Sequence, residues 1–185
     1  MSDSWYLDAS DYYIGRSALA PYPVRQGDLL RVSGGAPSRW VGAQIIHPTC
    51  ELPKSAVKAI QVVRVRRLRD VRDDFGRSLV VAGYREVDGG RRVAVANTFF
   101  LPPWTDGGEP CFADFREVAS VPRSAVSRRS RVAAITHDCR VTLIRRYLYF
   151  RFRLAFRFED VRAWEAQRIA SDPAFEGPRP GWARA

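Results

Sequence analysis

Two hydrophobic periods divide this chain. Up to about residue 120 the apolar positions come as short runs or alternate with polar ones, the pattern of β-strands. Gly27 to Val32 opens the first predicted strand. Trp40 to Ile46 is a nearly continuous apolar run, as a buried central strand requires. Between Val57 and Leu68, Val63 and Val65 alternate with Arg64 and Arg66, so one face is apolar and the other charged. Arg69 to Gly76 reads as a charged connection. Ser78–Val87 and Arg91–Phe99 read as two strands joined at Asp88-Gly89-Gly90, a strong hairpin signal. Cys111 to Val118 is one more. About six strands at this spacing predict an antiparallel sheet or a small β-barrel.

Beyond residue 120 the period lengthens. Thr136 is suited to cap a helix, with Asp138 in its first turn. Leu143, Tyr147, Phe150, Leu154 and Phe158 then recur at helical spacing. A strand is the competing reading, because Phe150, Phe152, Leu154, Phe156 and Phe158 also alternate with Arg151, Arg153 and Arg157. Helix is preferred, since Val141 to Glu159 holds no turn signal and a strand that long is unusual. A last helix is expected from Asp160, with Val161, Trp164 and Ile169 on one side. The fold class is therefore α+β, a sheet or small barrel followed by a helical C-terminal part. Its expected divisions are an aromatic N-terminal arm at 1–23, an antiparallel β domain at 24–120, an Arg-rich helical part at 121–171 and a loose tail at 172–185.

Charge adds a second layer. The chain carries +10, and apart from Lys54 and Lys58 every cation is an arginine. The excess is local: residues 116–168 hold 13 arginines against 5 acids, while the rest is near balance. A basic stretch of this kind suits an anionic partner, nucleic acid first, because guanidinium groups bind phosphate in bidentate fashion. The candidate contacts are Arg128, Arg129 and Arg131 ahead of the helix and Arg145, Arg146, Arg153 and Arg157 on it. Arg146, Arg153 and Arg157 would share its wet face, with Tyr149 or Phe152 near enough to stack on bases. The plainer alternative is an amphipathic helix whose wet side happens to be arginine.

Both histidines sit beside a cysteine, in His47-Pro48-Thr49-Cys50-Glu51 and His137-Asp138-Cys139. Two chemistries follow. His47, Cys50, His137 and Cys139 would complete a zinc set, although on a helix His137 and Cys139 point about 200° apart. Cys50 with His47, oriented by Glu51, would be a thiolate–imidazole nucleophile. The plainer reading makes Cys50 and Cys139 small buried residues, and Cys111 core. Whether any cofactor is bound is left open, with zinc the candidate.

The exclusions narrow the choice. Phosphate-binding loops, dinucleotide fingerprints, His-Glu-x-x-His and Gly-x-Ser-x-Gly are missing, so those chemistries lack support. No stretch approaches the roughly 20 apolar residues of a membrane span. Three cysteines without framework spacing and an N-terminus unlike a signal peptide predict a cytoplasmic protein.

Gly27-Asp28-Leu29, the strand ending His47-Pro48-Thr49-Cys50-Glu51, and Phe112-Ala113-Asp114-Phe115-Arg116 ahead of an Arg-rich helix together resemble a group of uncharacterised actinobacterial proteins. The resemblance spans roughly residues 25–158. It implies a bacterial cytoplasmic origin and a β-then-α order, maps a cysteine–acid pair onto Cys50 and Glu51, and brings no activity. The leading functional expectation is a non-enzymatic binding or regulatory module that engages nucleic acid through its arginine-rich helix. The alternatives are a Cys/His-centred enzyme or zinc protein using His47 and Cys50, and a structural subunit whose aromatic helix is buried in a complex.

Overall fold

The computed structural model describes residues 12–14, 23–31, 40–87, 91–105 and 108–152. Among these residues, eight strands and two α-helices make an α+β fold. They are β1 (Leu29–Leu30), β2 (Gly42–Ile45), β3 (Ala59–Arg67), α1 (Asp74–Ala82), β4 (Tyr84–Val87), β5 (Arg91–Ala94), β6 (Thr98–Leu101), β7 (Cys111–Pro122), β8 (Arg131–Ala133) and α2 (His137–Phe152). Six strands form one antiparallel sheet in the order β6-β7-β3-β2-β1-β8, and β4 and β5 pair as a separate hairpin. The sheet is open and does not close into the small barrel that strand spacing alone allows.

Alternation along β3 sets the layers. Val63 and Val65 face one core, with Leu29, Phe99, Leu101, Cys111, Ala113 and Phe115. Cys139 and Leu143 of α2 complete it, so the helix lies across this face. Tyr147 and Phe150 continue the same stripe onto Phe115, with ring centroids at 5.4 and 6.2 Å. Tyr147 and Phe150 are thus packed on the protein's own sheet, whereas Phe152 is exposed. Tyr12 joins this core against Phe99, and Tyr13 bridges Ile135, so the described part of the aromatic arm runs beside the entry to α2. Ile60 and Val62 face the other core with Leu30, Ala43, Ile45 and Leu52. Two connections cover that face: residues 47–58, anchored by Leu52 and Val57, and residues 123–130, anchored by Val126.

Local signals explain the ends of the helices. The Thr136 hydroxyl accepts the Cys139 N–H at 3.4 Å, as a capping residue should. The helix then runs through Phe152, so helix and not strand is the conformation of 137–152. Residues 153–158 and the expected last helix lie outside the described residues, as do the tail and most of the arm.

Three expectations are corrected. Ser78 to Ala82 belongs to α1 and not to a strand; only Tyr84–Val87 is extended. The Asp73 carboxylate accepts the Gly76 N–H at 2.6 Å to start this helix, and Gly83, at φ 72°, ends it in the left-handed region. The paired valines Val80 and Val81 mimic a strand, but the cap and the glycine decide. The last long strand continues past Val118 to Pro122. Finally, Arg91 to Phe99 is not one strand: Arg91–Ala94 pairs with β4, and after a break at 95–97 Thr98–Leu101 pairs with β7 in the main sheet. Beyond these corrections, β8 is not legible in the sequence: three residues long, it is defined by its partner β1 at the sheet edge.

Candidate functional site

The arginines of the basic segment separate into buried and exposed groups. Arg145 and Arg146 are only 6% and 4% exposed. Arg146 lies with its guanidinium carbon 5.7 Å from the Phe99 ring centre, and its Nη1 donates toward the Thr98 carbonyl at 3.5 Å. The expected wet face of α2 is corrected at this position: Arg146 reaches over the sheet. The reason is that α2 is enclosed on more than one side, with Val141 and Thr142 buried as well as Cys139 and Leu143. Arg131 is also turned inward, its side chain 5% exposed and its Nη1 3.2 Å from the Asp28 carboxylate. Arg153 and Arg157 lie outside the described residues.

Arg128 and Arg129 are exposed, in the turn that leads into β8. Geometry joins them to a residue that the sequence does not single out. β8 runs antiparallel to β1, so its start lies beside the end of β1. There the Arg31 N–H donates to the Ser130 carbonyl at 2.7 Å, and Arg31 is exposed too. Three arginines therefore crowd one corner of the sheet. The surrounding stretch, residues 118–137, contains no acid. The turn is held by reciprocal bonds: the Ser130 hydroxyl accepts the Ser127 N–H at 2.8 Å and donates to the Ser127 carbonyl at 2.9 Å.

β1 and β3 are both antiparallel to β2, so they end on the same side of the sheet; they lie two strand spacings apart and β3 runs three residues further, which puts their ends roughly 14 Å apart. At the end of β3 stand Arg67 and, just beyond, Arg69. Both are bridged by Glu109: Arg67 Nε at 3.1 Å and Arg69 Nη1 at 2.6 Å. Beside them opens a cleft of about 230 Å³ lined by Val41, Arg67, Trp104, Thr105, Glu109 and Cys111. The hint in the sequence is the run Arg66-Arg67-Leu68-Arg69, which by pattern alone is a strand and its exit. An acid stands here as well: Asp70 follows Arg69 directly and lies near enough to Cys111 to raise its thiol.

A second charged group sits mid-sheet. Val63 pairs with Val118 but Arg64 pairs with Asp114, so Phe115, Arg116 and Glu117 form a three-residue bulge in β7. Phe115 stays in the core, and its N–H donates to the Asn97 carbonyl. Around the bulge, Arg64 Nη1 meets both Glu117 oxygens at 3.0 and 2.8 Å, and Arg116 grips Asp114 at 2.8 and 2.7 Å. Arg66 stands 3.6 Å from Asp114. Three guanidiniums on two carboxylates tie the bulge to β3 and leave the group one net positive charge.

The cysteine and histidine candidates are distributed, not gathered. His47, Cys50 and Glu51 lie on the connection that covers the Ile60–Val62 face, with Cys50 exposed. Glu51 pairs with Lys54 at 2.6 Å, while His47 Nδ1 accepts the Gln61 N–H at 3.5 Å. No contact among the described residues sets Glu51 to orient His47. Cys139 is wholly buried under α2, against the opposite face of the sheet. Burial pushes its thiol well above the usual range. Among the described residues, no three His, Cys, Asp or Glu side chains converge where they could hold a metal ion. The four-residue zinc set is therefore not assembled, because its two halves serve opposite faces. Cys111 is core, as expected, its thiol pushed up to about 11 by burial.

No helix among the described residues is long and apolar enough to cross a membrane. No family model matches the chain, and no curated protein is significantly similar to it.

Proposed function

We propose that this protein is a non-enzymatic binding module for nucleic acid, and that it meets phosphate through the arginines at one end of its sheet. The observation that carries this reading is the corner formed by three exposed arginines, Arg128 and Arg129 in an acid-free stretch and Arg31 brought beside them by the Arg31–Ser130 bond. Exposed cations at a sheet corner suit the phosphate backbone, which rewards charge and needs no deep pocket. The rim takes the place of Arg145 and Arg146 in this reading, since those two are committed to the interior. Three free cysteines support a reducing compartment, the cytoplasm.

The test is direct binding of a labelled oligonucleotide to the purified full chain. Binding should be clear at about 50 mM salt and fall steeply by about 200 mM, the signature of counterion release. Absence of binding at the lower salt overturns the reading.

A further inference from the structure

We propose that the cleft at the end of β3 takes one unstacked base of a single-stranded nucleic acid, with the ring against Trp104 and the neighbouring phosphate on Arg67 and Arg69. This deepens the reading above and rests on it. Three observations converge on the cleft.

Its size comes first. About 230 Å³ is smaller than the typical site for a drug-sized molecule, which starts at about 300 Å³. A single planar ring suits it better than a whole nucleotide. Its lining comes second. Trp104 offers an indole, Val41 an aliphatic wall, and Thr105 and Glu109 polar edges that can meet the edge of a base. Stacking on an aromatic side chain is the general means by which proteins hold single strands, because every base has a π-face. Cys111 adds no reactivity: the residue is only 3% exposed, and its Sγ donates toward the Glu109 carbonyl at 3.5 Å. This is a site for binding rather than bond-making.

The charge pattern is third. Glu109 engages one nitrogen of each guanidinium, Nε of Arg67 and Nη1 of Arg69. The trio keeps one net positive charge, and each arginine retains N–H groups for a phosphate. Glu109 also holds the two planes beside the cleft instead of letting them swing away. The Arg31–Arg128–Arg129 corner lies on the same side of the sheet. A strand seated there could therefore run from the corner to the cleft, roughly 14 Å on. A rigid duplex keeps its bases paired and gains nothing from the cleft.

The experiment compares two oligomers of equal phosphate count on the wild-type chain, a twelve-nucleotide oligothymidylate and its abasic counterpart, at about 50 mM salt. The thymidylate should bind about tenfold more tightly, the effect of one good stacking contact. Trp104→Leu, checked for a native unfolding transition, should remove that preference and leave the abasic affinity unchanged. Arg67→Gln, also checked, should weaken both oligomers alike. Equal binding of the two oligomers by the wild type overturns the base pocket while leaving the phosphate reading intact. A preference that survives Trp104→Leu means the base stacks elsewhere, and also overturns it. Thymidine 5′-monophosphate competing as well as the oligomer would make this a mononucleotide site and overturn the strand. Failure of either oligomer to bind defeats the underlying reading itself.

Discussion

The Arg146 guanidinium lies against the backbone of Gly83, so close that a Cβ at residue 83 would overlap it. This contact links the end of α1 to the middle of α2 and explains two choices at once. Gly83 must adopt φ 72° to end its helix, which glycine does without strain. It must also leave room for an arginine that crosses over Phe99. Gly83→Ala should therefore destabilise the protein by about 1–3 kcal/mol, the scale of local backbone strain. Denaturant unfolding measures it. Part of the loss should be relieved in Gly83→Ala/Arg146→Ala, because the two residues share the contact. Strict additivity would show that the overlap is of no energetic consequence.

A second prediction concerns the bulge. Burial raises the Asp114 carboxyl, but the hydrogen bonds from the Arg116 side chain and backbone, with the charges of Arg116 and Arg66, outweigh it and hold the group below its ordinary value. A carboxylate depressed in the folded state adds stability above its unfolded pKa of about 3.9, and this is lost as pH falls through the folded value. Asp114→Asn should cost about 1–3 kcal/mol at neutral pH, the range for a charged hydrogen bond. The gap to wild type should narrow progressively below about pH 4. A gap independent of pH would mean that the carboxylate's charge plays no part.

Thiol accessibility gives a third test. Cys50 is exposed, while Cys111 and Cys139 are 3% and 0% exposed, with both thiols pushed upward by burial. An aromatic disulfide reagent at pH 8 should titrate one thiol quickly in the folded chain and all three in denaturant. Cys50→Ser should remove the fast reaction with little change in unfolding midpoint, as expected for an exposed side chain. Fast modification of two thiols would contradict the burial of Cys111 or of Cys139.

Much of the fold can be read in the sequence because burial writes it there. The Val63–Arg64–Val65–Arg66 alternation marks β3, and Leu143, Tyr147 and Phe150 mark the stripe of α2. What escapes is set by tertiary partners. α1 is hidden by Val80 and Val81, and only its cap at Asp73 and stop at Gly83 give it away. β8 exists because β1 offers an edge. The site is harder still. Helical periodicity predicts a wet side for Arg146, but it assumes one buried face, and α2 has more than one. Arg31 and Arg128 are almost a hundred residues apart in sequence. Only the pairing of β1 with β8 brings them to one corner.

The measurement that bears most directly on the account is the salt dependence of oligonucleotide binding in Arg128→Glu/Arg129→Glu, set beside Arg151→Glu at the exposed end of α2. Removing one arginine–phosphate pair should lower the slope of log affinity against log salt by about one. The double variant, with an unchanged unfolding midpoint, should bind at least about tenfold more weakly at about 50 mM salt and lose about two units of slope. Arg151→Glu should behave like wild type. If instead the double variant keeps its affinity and slope while Arg151→Glu loses both, the phosphate contacts belong to the helix, and the corner of Arg31, Arg128 and Arg129 is not the binding surface.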